Sequence, residues 1–233
     1  PGRRRSRDGE HLHTDALIDA GIALRARIAP PQRLQRRAHP HEDTLDIVLL
    51  IDASASTAAP GADGRPLLAT LREAALLAAA WLDARGHRVR VQAFASDTRH
   101  RVRVQRVKDA GDSALDAAVL ARAAGLRSAG STRMGAPVRH ALSQFDGAPG
   151  HIVLLTDGEP HDIDIHDPRY LAEDLVRAVR EAQRDGIVTS CLLIGDGTRA
   201  GLSRLFAPGR CVAGPGGRRL AQALCDCVAG PPH

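Results

Sequence analysis

A set of oxygen-bearing side chains stands at spacings that could hold a metal ion. Asp52, Ser54 and Ser56 alternate at the end of an apolar stretch, Thr132 lies in a later polar turn, and Asp157 ends a second apolar stretch. Carboxylate and hydroxyl oxygens without Cys or His favour a hard cation, Mg²⁺ first, with Mn²⁺ or Ca²⁺ as alternatives. The sequence therefore predicts that Asp52, Ser54, Ser56, Thr132 and Asp157 form a metal site.

The elements that must position these side chains are strands of a parallel sheet. Residues 45–52 (LDIVLLID) and 151–158 (HIVLLTDG) are continuous apolar runs that end in an acid, as is typical of strands covered on both faces. Helical apolar patterns follow them at 66–85 and 170–186. This alternation predicts a doubly wound, mostly parallel α/β sheet, in which ligands gather at the carboxyl ends of the strands.

The remaining elements complete this sheet. Residues 87–96 and 101–107 alternate apolar and polar side chains, which predicts a strand and an antiparallel hairpin partner at one edge. Ser131 or Thr132 is predicted to cap the helix that contains Pro137. Further strands are expected at 187–196 and 211–214, and further helices near 112–123 and 217–228.

The chain divides by composition into two regions. Residues 1–44 are rich in Arg, His and Pro and are predicted to form a basic arm or linker with a short helix, and residues 45–233 are predicted to form the α/β domain. The formal net charge is +5, and only one of the 32 basic residues, Lys108, is a lysine. We interpret the clustered arginines as solvated surface.

Composition also excludes several classes of protein. Three Phe, one Trp and one Tyr leave almost no rings for stacking on bases, so we expect no nucleic-acid partner. No apolar run reaches the roughly 20 residues of a membrane helix, and residues 1–13 lack the apolar block of a signal peptide. The sequence therefore predicts a cytoplasmic protein without membrane insertion, and its first residue, Pro1, suggests a segment of a longer chain.

The motifs DASAS, GSTRMG and TDG together resemble the metal-ion-dependent adhesion site of von Willebrand factor A domains. In that family the serines and the threonine supply hydroxyl ligands, and the aspartates bind directly or through water. The resemblance extends over about residues 45–228. It implies that the site binds a carboxylate of a partner protein through the metal ion.

A narrower resemblance concerns the stretches STRMGAPVRHAL and TDGEPHDIDIHDPRYLAEDLVRAVREAQRDGI. They are similar to proteins of the NorD and CbbO type, which work with MoxR-class AAA+ ATPases to activate nitric oxide reductase or rubisco. The resemblance implies a non-catalytic adaptor. Its expected partners are the ATPase hexamer, where the ATPase activity would lie, and a client enzyme that presents an Asp or Glu.

The residues next to the predicted metal site could contact such a partner. Arg133 could orient an incoming carboxylate or point to solvent, and the loop after Asp157 carries Glu159, His161 and Asp162. The alternative for this loop is a solvated turn. We predict Arg133, Glu159, His161 and Asp162 as partner-binding residues.

Two other functions remain open on the sequence. A Mg²⁺-dependent phosphohydrolase of the haloacid-dehalogenase kind also begins with an apolar strand that ends in Asp, but it requires a second Asp where Ser54 stands and a phosphate-binding Lys. A magnesium-chelatase-like subunit would have the same metal site and a different client.

Overall fold

The computed structural model describes residues 44–61, 63–158, 160–165, 167–194, 202, 204–206, 210–214 and 219–229. The predicted arm, apart from Thr44, lies outside this part of the chain, as do the His and Arg clusters within it. No helix among the described residues is long and apolar enough to cross a membrane.

A single sheet of six strands organises the described residues. The strands are β1 (Asp46–Asp52), β2 (Arg88–Ser96), β3 (Val102–Lys108), β4 (Gly150–Thr156), β5 (Ile187–Leu193) and β6 (Cys211–Ala213). Their order across the sheet is β3-β2-β1-β4-β5-β6, and every pairing is parallel except the β2–β3 hairpin at one edge. The predicted doubly wound, mostly parallel sheet with an antiparallel edge strand is confirmed.

Helices cover both faces of the sheet. They are α1 (Leu67–Asp83), α2 (Ala117–Gly125), α3 (Gly135–Leu142), α4 (Pro168–Arg184) and α5 (Arg219–Ala229). Alternate residues of β1 enter two cores, since Ile47, Leu49 and Ile51 pack on the side of α1 and α5, while Val48 and Leu50 pack on the side of α3 and α4. All seven residues of β1 are buried. The continuous apolar run in the sequence therefore reflects burial on two faces.

The helix predicted near 112–123 begins later than the sequence suggested, at Ala117. Polar side chains before it bond to the local backbone, since Asp112 accepts a hydrogen bond from the Asp109 N–H at 3.2 Å. The N–H of Asp116 donates to the Ser113 carbonyl at 3.1 Å. Such local bonds compete with helix formation and keep this stretch in turns.

From β1 the chain continues toward one edge of the sheet, and from β4 it continues toward the other edge. The switch point of the sheet therefore lies between β1 and β4. From β1 the chain proceeds to β2 and β3 on one side, and it then crosses to β4 and β5 on the other. The loops that leave the carboxyl ends of β1 and β4 separate there and leave a crevice. Asp52 and Asp157 flank that crevice.

Candidate metal centre

The loops after β1 and β4 are joined by a chain of side-chain hydrogen bonds. The hydroxyls of Ser54 and Ser56 lie 3.0 Å apart, and the Ser56 hydroxyl donates to Asp157 Oδ1 at 3.0 Å. A short 3-10 turn, Ala55–Ala58, begins directly after Ser54 and folds Ser56 back toward β4. The predicted ligands Ser54, Ser56 and Asp157 are therefore brought together, although Asp157 is far from the serines in sequence.

Asp52 lies beneath this chain and is fully buried. Its Oδ1 accepts a hydrogen bond from the Ser54 N–H at 2.8 Å, and its Oδ2 accepts one from the Thr156 hydroxyl at 2.7 Å. Burial raises the pKa of Asp52 to about 6, even though the hydrogen bonds from Ser54 and Thr156 act in the opposite direction. The negative charge of Asp157 raises this pKa further.

Thr132 reaches the site through backbone contacts of its loop. Gly130 accepts a hydrogen bond from the Ala55 N–H at 2.9 Å, and Ser131 exchanges backbone hydrogen bonds with Ser96 at 2.7 and 2.9 Å. Gly130 has φ of +77°, and a Cβ atom at this position would overlap the Ser96 carbonyl. A glycine is therefore required where the Thr132 loop passes the end of β2.

The predicted helix cap at Ser131 or Thr132 is wrong. Helix α3 begins at Gly135, its N-cap residue is Met134, and no side chain caps it. The backbone of Thr132 instead pairs with His161, with hydrogen bonds of 2.8 and 3.0 Å between their N–H and carbonyl groups. This pairing with a distant loop competes with capping and leaves the Thr132 hydroxyl available to the site.

A cavity of about 390 Å³ opens where these loops meet. Its lining includes the predicted ligands Ser54, Ser56, Thr132 and Asp157, while Asp52 lies behind Ser54. The other lining residues are Ala55, Gly130, Ser131, Gly158, His161 and Ile163. The cavity thus presents hydroxyl and carboxylate oxygens from three separate loops.

Arg133 and Asp162, predicted as partner-binding residues, are buried against each other. Arg133 Nε donates to Asp162 Oδ2 at 3.1 Å, and Arg133 Nη2 donates to Asp164 Oδ1 at 2.7 Å. The relative exposures of Arg133 and Asp162 are 6% and 2%. Arg133 therefore does not point to solvent, and the charges of Asp162 and Asp164 already engage its guanidinium.

The carboxylate of Asp162 collects several further donors. Its Oδ2 accepts from the Ser96 hydroxyl at 2.9 Å, and its Oδ1 accepts from the N–H groups of Ile163 at 2.8 Å and Thr98 at 3.3 Å. Burial opposes the ionised form, but the bonds from Ser96, Arg133 and Ile163 outweigh it and lower the pKa of Asp162. An ionised Asp162 thus fixes the loop that faces the cavity.

The other predicted partner residues have different surroundings. His161 is exposed and lines the cavity, and Glu159 lies outside the described residues. Sequence reasoning missed Thr156, whose hydroxyl holds Asp52, and Ile163, which lines the cavity. The signal for Thr156 was a polar residue at the end of an apolar strand. The signal for Ile163 was an apolar residue in an acidic loop.

Among the described residues, no group of three or more His, Cys, Asp or Glu side chains is arranged to hold a metal ion. The hydroxyl-rich set around the cavity is a different kind of site, because Ser and Thr supply most of its oxygens. Such neutral oxygen donors suit a hard cation rather than a soft one.

A model of the von Willebrand factor type A domain matches residues 46–214. The chain belongs to this family. The match includes the complete sheet and all the loops that line the cavity. The predicted resemblance to von Willebrand factor A domains is confirmed.

Relatives with related sequences extend this similarity beyond the A domain itself. The chain is 35% identical to Protein NorD of Brucella suis over 90% of its length and 34% of that protein. It is 28% identical to Protein NorD of Stutzerimonas stutzeri over 82% of its length and 32% of that protein. The predicted NorD-type resemblance is confirmed, and the chain spans about a third of the length of these relatives.

Solved structures share the fold at low sequence identity. The pilus adhesin SpaC from Lactobacillus rhamnosus GG matches with a TM-score of 0.61 and 15% identity, over 81% of this chain and 30% of that one. A von Willebrand factor type A protein from Catenulispora acidiphila matches with a TM-score of 0.54 and 24% identity, over 78% of this chain and 41% of that one. These likenesses concern the fold of the A domain.

Proposed function

We propose that this A domain is a Mg²⁺-dependent protein-binding module. The observation that carries the proposal is the shared cavity of Ser54, Ser56, Thr132 and Asp157 above the buried carboxylate of Asp52. Within the described residues, no Arg or Lys forms an ion pair or hydrogen bond with Asp52 or Asp157. A cation is the charge that would balance these two acids.

The donor set fits Mg²⁺, with Mn²⁺ or Ca²⁺ as possible substitutes. Ser54, Ser56 and Thr132 offer neutral hydroxyl oxygens, and Asp157 offers a carboxylate at the rim of the cavity. Asp52 has a different role, since it accepts the Ser54 N–H and the Thr156 hydroxyl and thereby orients the loop that carries Ser54. When bound, the ion supplies an electrophilic centre that attracts a carboxylate.

The partner would therefore present an Asp or Glu to the cavity. Asp52 lies outside the cavity lining, and both of its oxygens already accept hydrogen bonds, so the ion would contact three neutral hydroxyls and the single carboxylate of Asp157. One positive charge of a divalent ion then faces the ligand from another protein. A charge-assisted contact at the centre of an interface is a common hot spot, worth about 2–4 kcal/mol when one partner is truncated. One acidic side chain of the partner would then dominate its affinity.

The similarity to NorD proteins supports an adaptor role for the longer protein. By the resemblance, the partners would be a hexameric MoxR-class AAA+ ATPase and a client enzyme in the cytoplasm, with the ATPase activity in the partner subunit. Relatives named NorD favour a nitric oxide reductase type of client over rubisco, and favour an adaptor over a magnesium-chelatase-like subunit.

The position of Lys108 supports a non-catalytic role over a phosphohydrolase. Its ammonium is fully buried, 3.1 Å from Asp83 Oδ2 and 2.8 Å from the Val89 carbonyl. Val89 lies near the amino end of β2, whereas the cavity lies at the carboxyl ends of the strands. Lys108 is therefore not available to bind a phosphate beside Asp52.

Calorimetric titration with MgCl₂ tests the metal site. We expect one binding event in the wild type and none in Asp52→Ala or in Ser54→Ala combined with Ser56→Ala. Ser143→Ala is the matched control, because its hydroxyl is exposed and, within the described part of the chain, bonds only to the His140 carbonyl on α3. Unchanged heat in Asp52→Ala contradicts the assignment.

Affinity capture from the native host tests the adaptor role. We expect an AAA+ ATPase to be recovered with Mg²⁺ and lost with EDTA or in the double serine variant. Recovery that persists in EDTA rejects a metal-mediated contact. Phosphatase and ATPase assays on this chain should be blank, and turnover that Asp52→Asn removes would restore the enzyme hypothesis.

A further inference from the structure

Ile163 is an exposed apolar side chain at the edge of the cavity. It is 68% exposed, and Tyr170, at 56%, is the other large hydrophobic side chain so exposed among the described residues. Ile163 lines the same cavity as Ser56, Thr132 and Asp157. Single exposed apolar residues are common on protein surfaces, so exposure by itself assigns no role. Ile163 differs from other exposed apolar residues because it lies beside the oxygen donors and because hydrogen bonds hold its loop in place.

The residues on both sides of Ile163 are held by ion pairs and hydrogen bonds, which are buried at Asp162 and more exposed at Asp164. Asp162, directly before it, accepts hydrogen bonds from Arg133, Ser96 and the Ile163 N–H itself. Asp164, directly after it, accepts from Arg133 Nη2 at 2.7 Å and from the Arg99 N–H at 2.8 Å. The backbone of Ile163 is thus held from two directions.

The same contacts tie this loop to the predicted ligand Thr132. Arg133 follows Thr132 in the chain, and the backbone of Thr132 pairs with His161, two residues before Ile163. The distance between the apolar side chain and the oxygen donors is therefore set by the fold. A pre-organised apolar group loses little conformational freedom when a partner covers it.

We propose that Ile163 is the apolar half of a two-point docking surface made of Ile163 and the oxygen donors Ser54, Ser56, Thr132 and Asp157. Its occupant is a partner segment with one Asp or Glu for the cation and one aliphatic side chain that packs on Ile163. This inference rests on the proposed function, and it adds the class of segment that the site prefers. Charge complementarity selects the acid, and burial of Ile163 selects its apolar neighbour.

Synthetic peptides provide the test on the chain as it stands. The first set consists of Gly-Ser peptides that carry one Glu and one Leu, with a different separation between them in each peptide. In the second set Ser replaces Leu, and in the third set Gln replaces Glu. Fluorescence anisotropy measures binding in MgCl₂ and in EDTA. We expect the best Glu–Leu peptide to bind about fivefold more tightly than its Glu–Ser counterpart in MgCl₂.

Two protein variants complete a double-mutant cycle with the peptides. Ile163→Ser should remove the advantage of Leu over Ser, while Tyr170→Ser, the matched control on α4, should keep it. Both variants should bind Mg²⁺ as the wild type does in calorimetry, since both side chains are largely exposed.

The outcomes separate this inference from the proposed function. An equal preference for Leu in the wild type and in Ile163→Ser overturns the role of Ile163 and leaves metal-dependent capture intact. Binding that is indifferent to Mg²⁺ or to Glu→Gln overturns the proposed carboxylate capture. Failure of all Glu peptides to bind in MgCl₂ overturns both.

Discussion

At the scale of single residues, Asp52 combines deep burial with a negative charge that no basic side chain in the described residues neutralises. Both of its oxygens accept hydrogen bonds, from the Ser54 N–H and from the Thr156 hydroxyl. Burial nevertheless raises its pKa to about 6, so ionisation at neutral pH opposes folding of the metal-free protein. A buried charge that lowers the stability of the metal-free protein is typical of a binding site, because function there can require a residue that stability alone would not favour.

Asp52→Asn should therefore stabilise the metal-free protein at pH 8. The gain is expected to be at most about 3 kcal/mol, because the charge is removed while most hydrogen bonds are kept. Urea unfolding in EDTA measures this gain. At a thousandfold excess of MgCl₂ over its Kd the order should reverse, since only the wild type then gains about 4.1 kcal/mol. A variant that is less stable than the wild type in EDTA contradicts this account of Asp52.

At the scale of elements, three loops meet because backbone hydrogen bonds hold them against strand ends. The segment 129–132 bonds to the loop after β1 through Ala53 and Ala55, and to the end of β2 through Ser96. The loop after β4 is joined to it through the pairing of Thr132 and His161. The site thus depends on close backbone approach as well as on the donor side chains.

Two glycine substitutions separate backbone conformation from close approach. Gly130 and Gly147 have nearly the same φ, +77° and +78°, but only Gly130 lies against another backbone group. Gly147→Ala should cost about 1 kcal/mol in stability and leave Mg²⁺ affinity unchanged. Gly130→Ala should cost about 3 kcal/mol and weaken Mg²⁺ binding, because the loop must move from Ser96.

Urea unfolding and calorimetry measure the two effects. Equal losses of stability in Gly130→Ala and Gly147→Ala would mean that the backbone conformation alone, and not the contact to Ser96, requires a glycine at position 130. Normal Mg²⁺ affinity in a destabilised Gly130→Ala would disconnect Thr132 from the metal site.

At the scale of the whole molecule, stability responds to pH through groups at opposite ends of the two central strands. His151, on β4, is 3% exposed, and its ring Nε2 lies 2.8 Å from the Ser190 hydroxyl on β5. Burial, aided by the charge of Arg210, lowers the pKa of His151 to about 4. Because its folded pKa is depressed, its contribution is present above pH 6.5 and is lost as the pH falls toward 4.

Asp52 acts in the opposite sense over nearly the same range. Its folded pKa of about 6 exceeds the ordinary value of 3.8, so its contribution is present below 3.8 and is lost as the pH rises through 6. In EDTA, the advantage of Asp52→Asn over the wild type should grow between pH 4 and pH 6. The deficit of His151→Gln should instead shrink by up to about 3 kcal/mol as the pH falls from 6.5 to 4.

Unfolding curves at several pH values measure both differences against the wild type. If the stability difference between a variant and the wild type stays constant with pH, the substituted residue does not contribute to the pH dependence of stability. The double variant should give the sum of the two profiles, since the residues lie at opposite ends of β-strands and share no hydrogen bond in the described part of the chain.

Local sequence determined the elements, and it supplied the prediction of which oxygen-bearing residues meet at their ends. A continuous apolar run such as 46–52 is compatible with a strand buried on two faces. The alternation of apolar and polar residues at 102–106 is compatible with a half-exposed edge strand. The mixed sheet was therefore predicted correctly. The metal set was predicted from residue type, because hydroxyl and carboxylate oxygens at strand ends have a chemistry that can be recognised without coordinates.

Tertiary structure alone decided what the side chains around the site contact. Capping of α3 by Ser131 or Thr132 was a reasonable local expectation, but the pairing of Thr132 with His161 replaced it. Arg133 is engaged by Asp162 and Asp164, which lie 29 and 31 residues later in the chain. Ile163 is exposed because its neighbours are held inward. Such contacts join distant segments, and the energy of burying a charge depends on which partner the fold supplies.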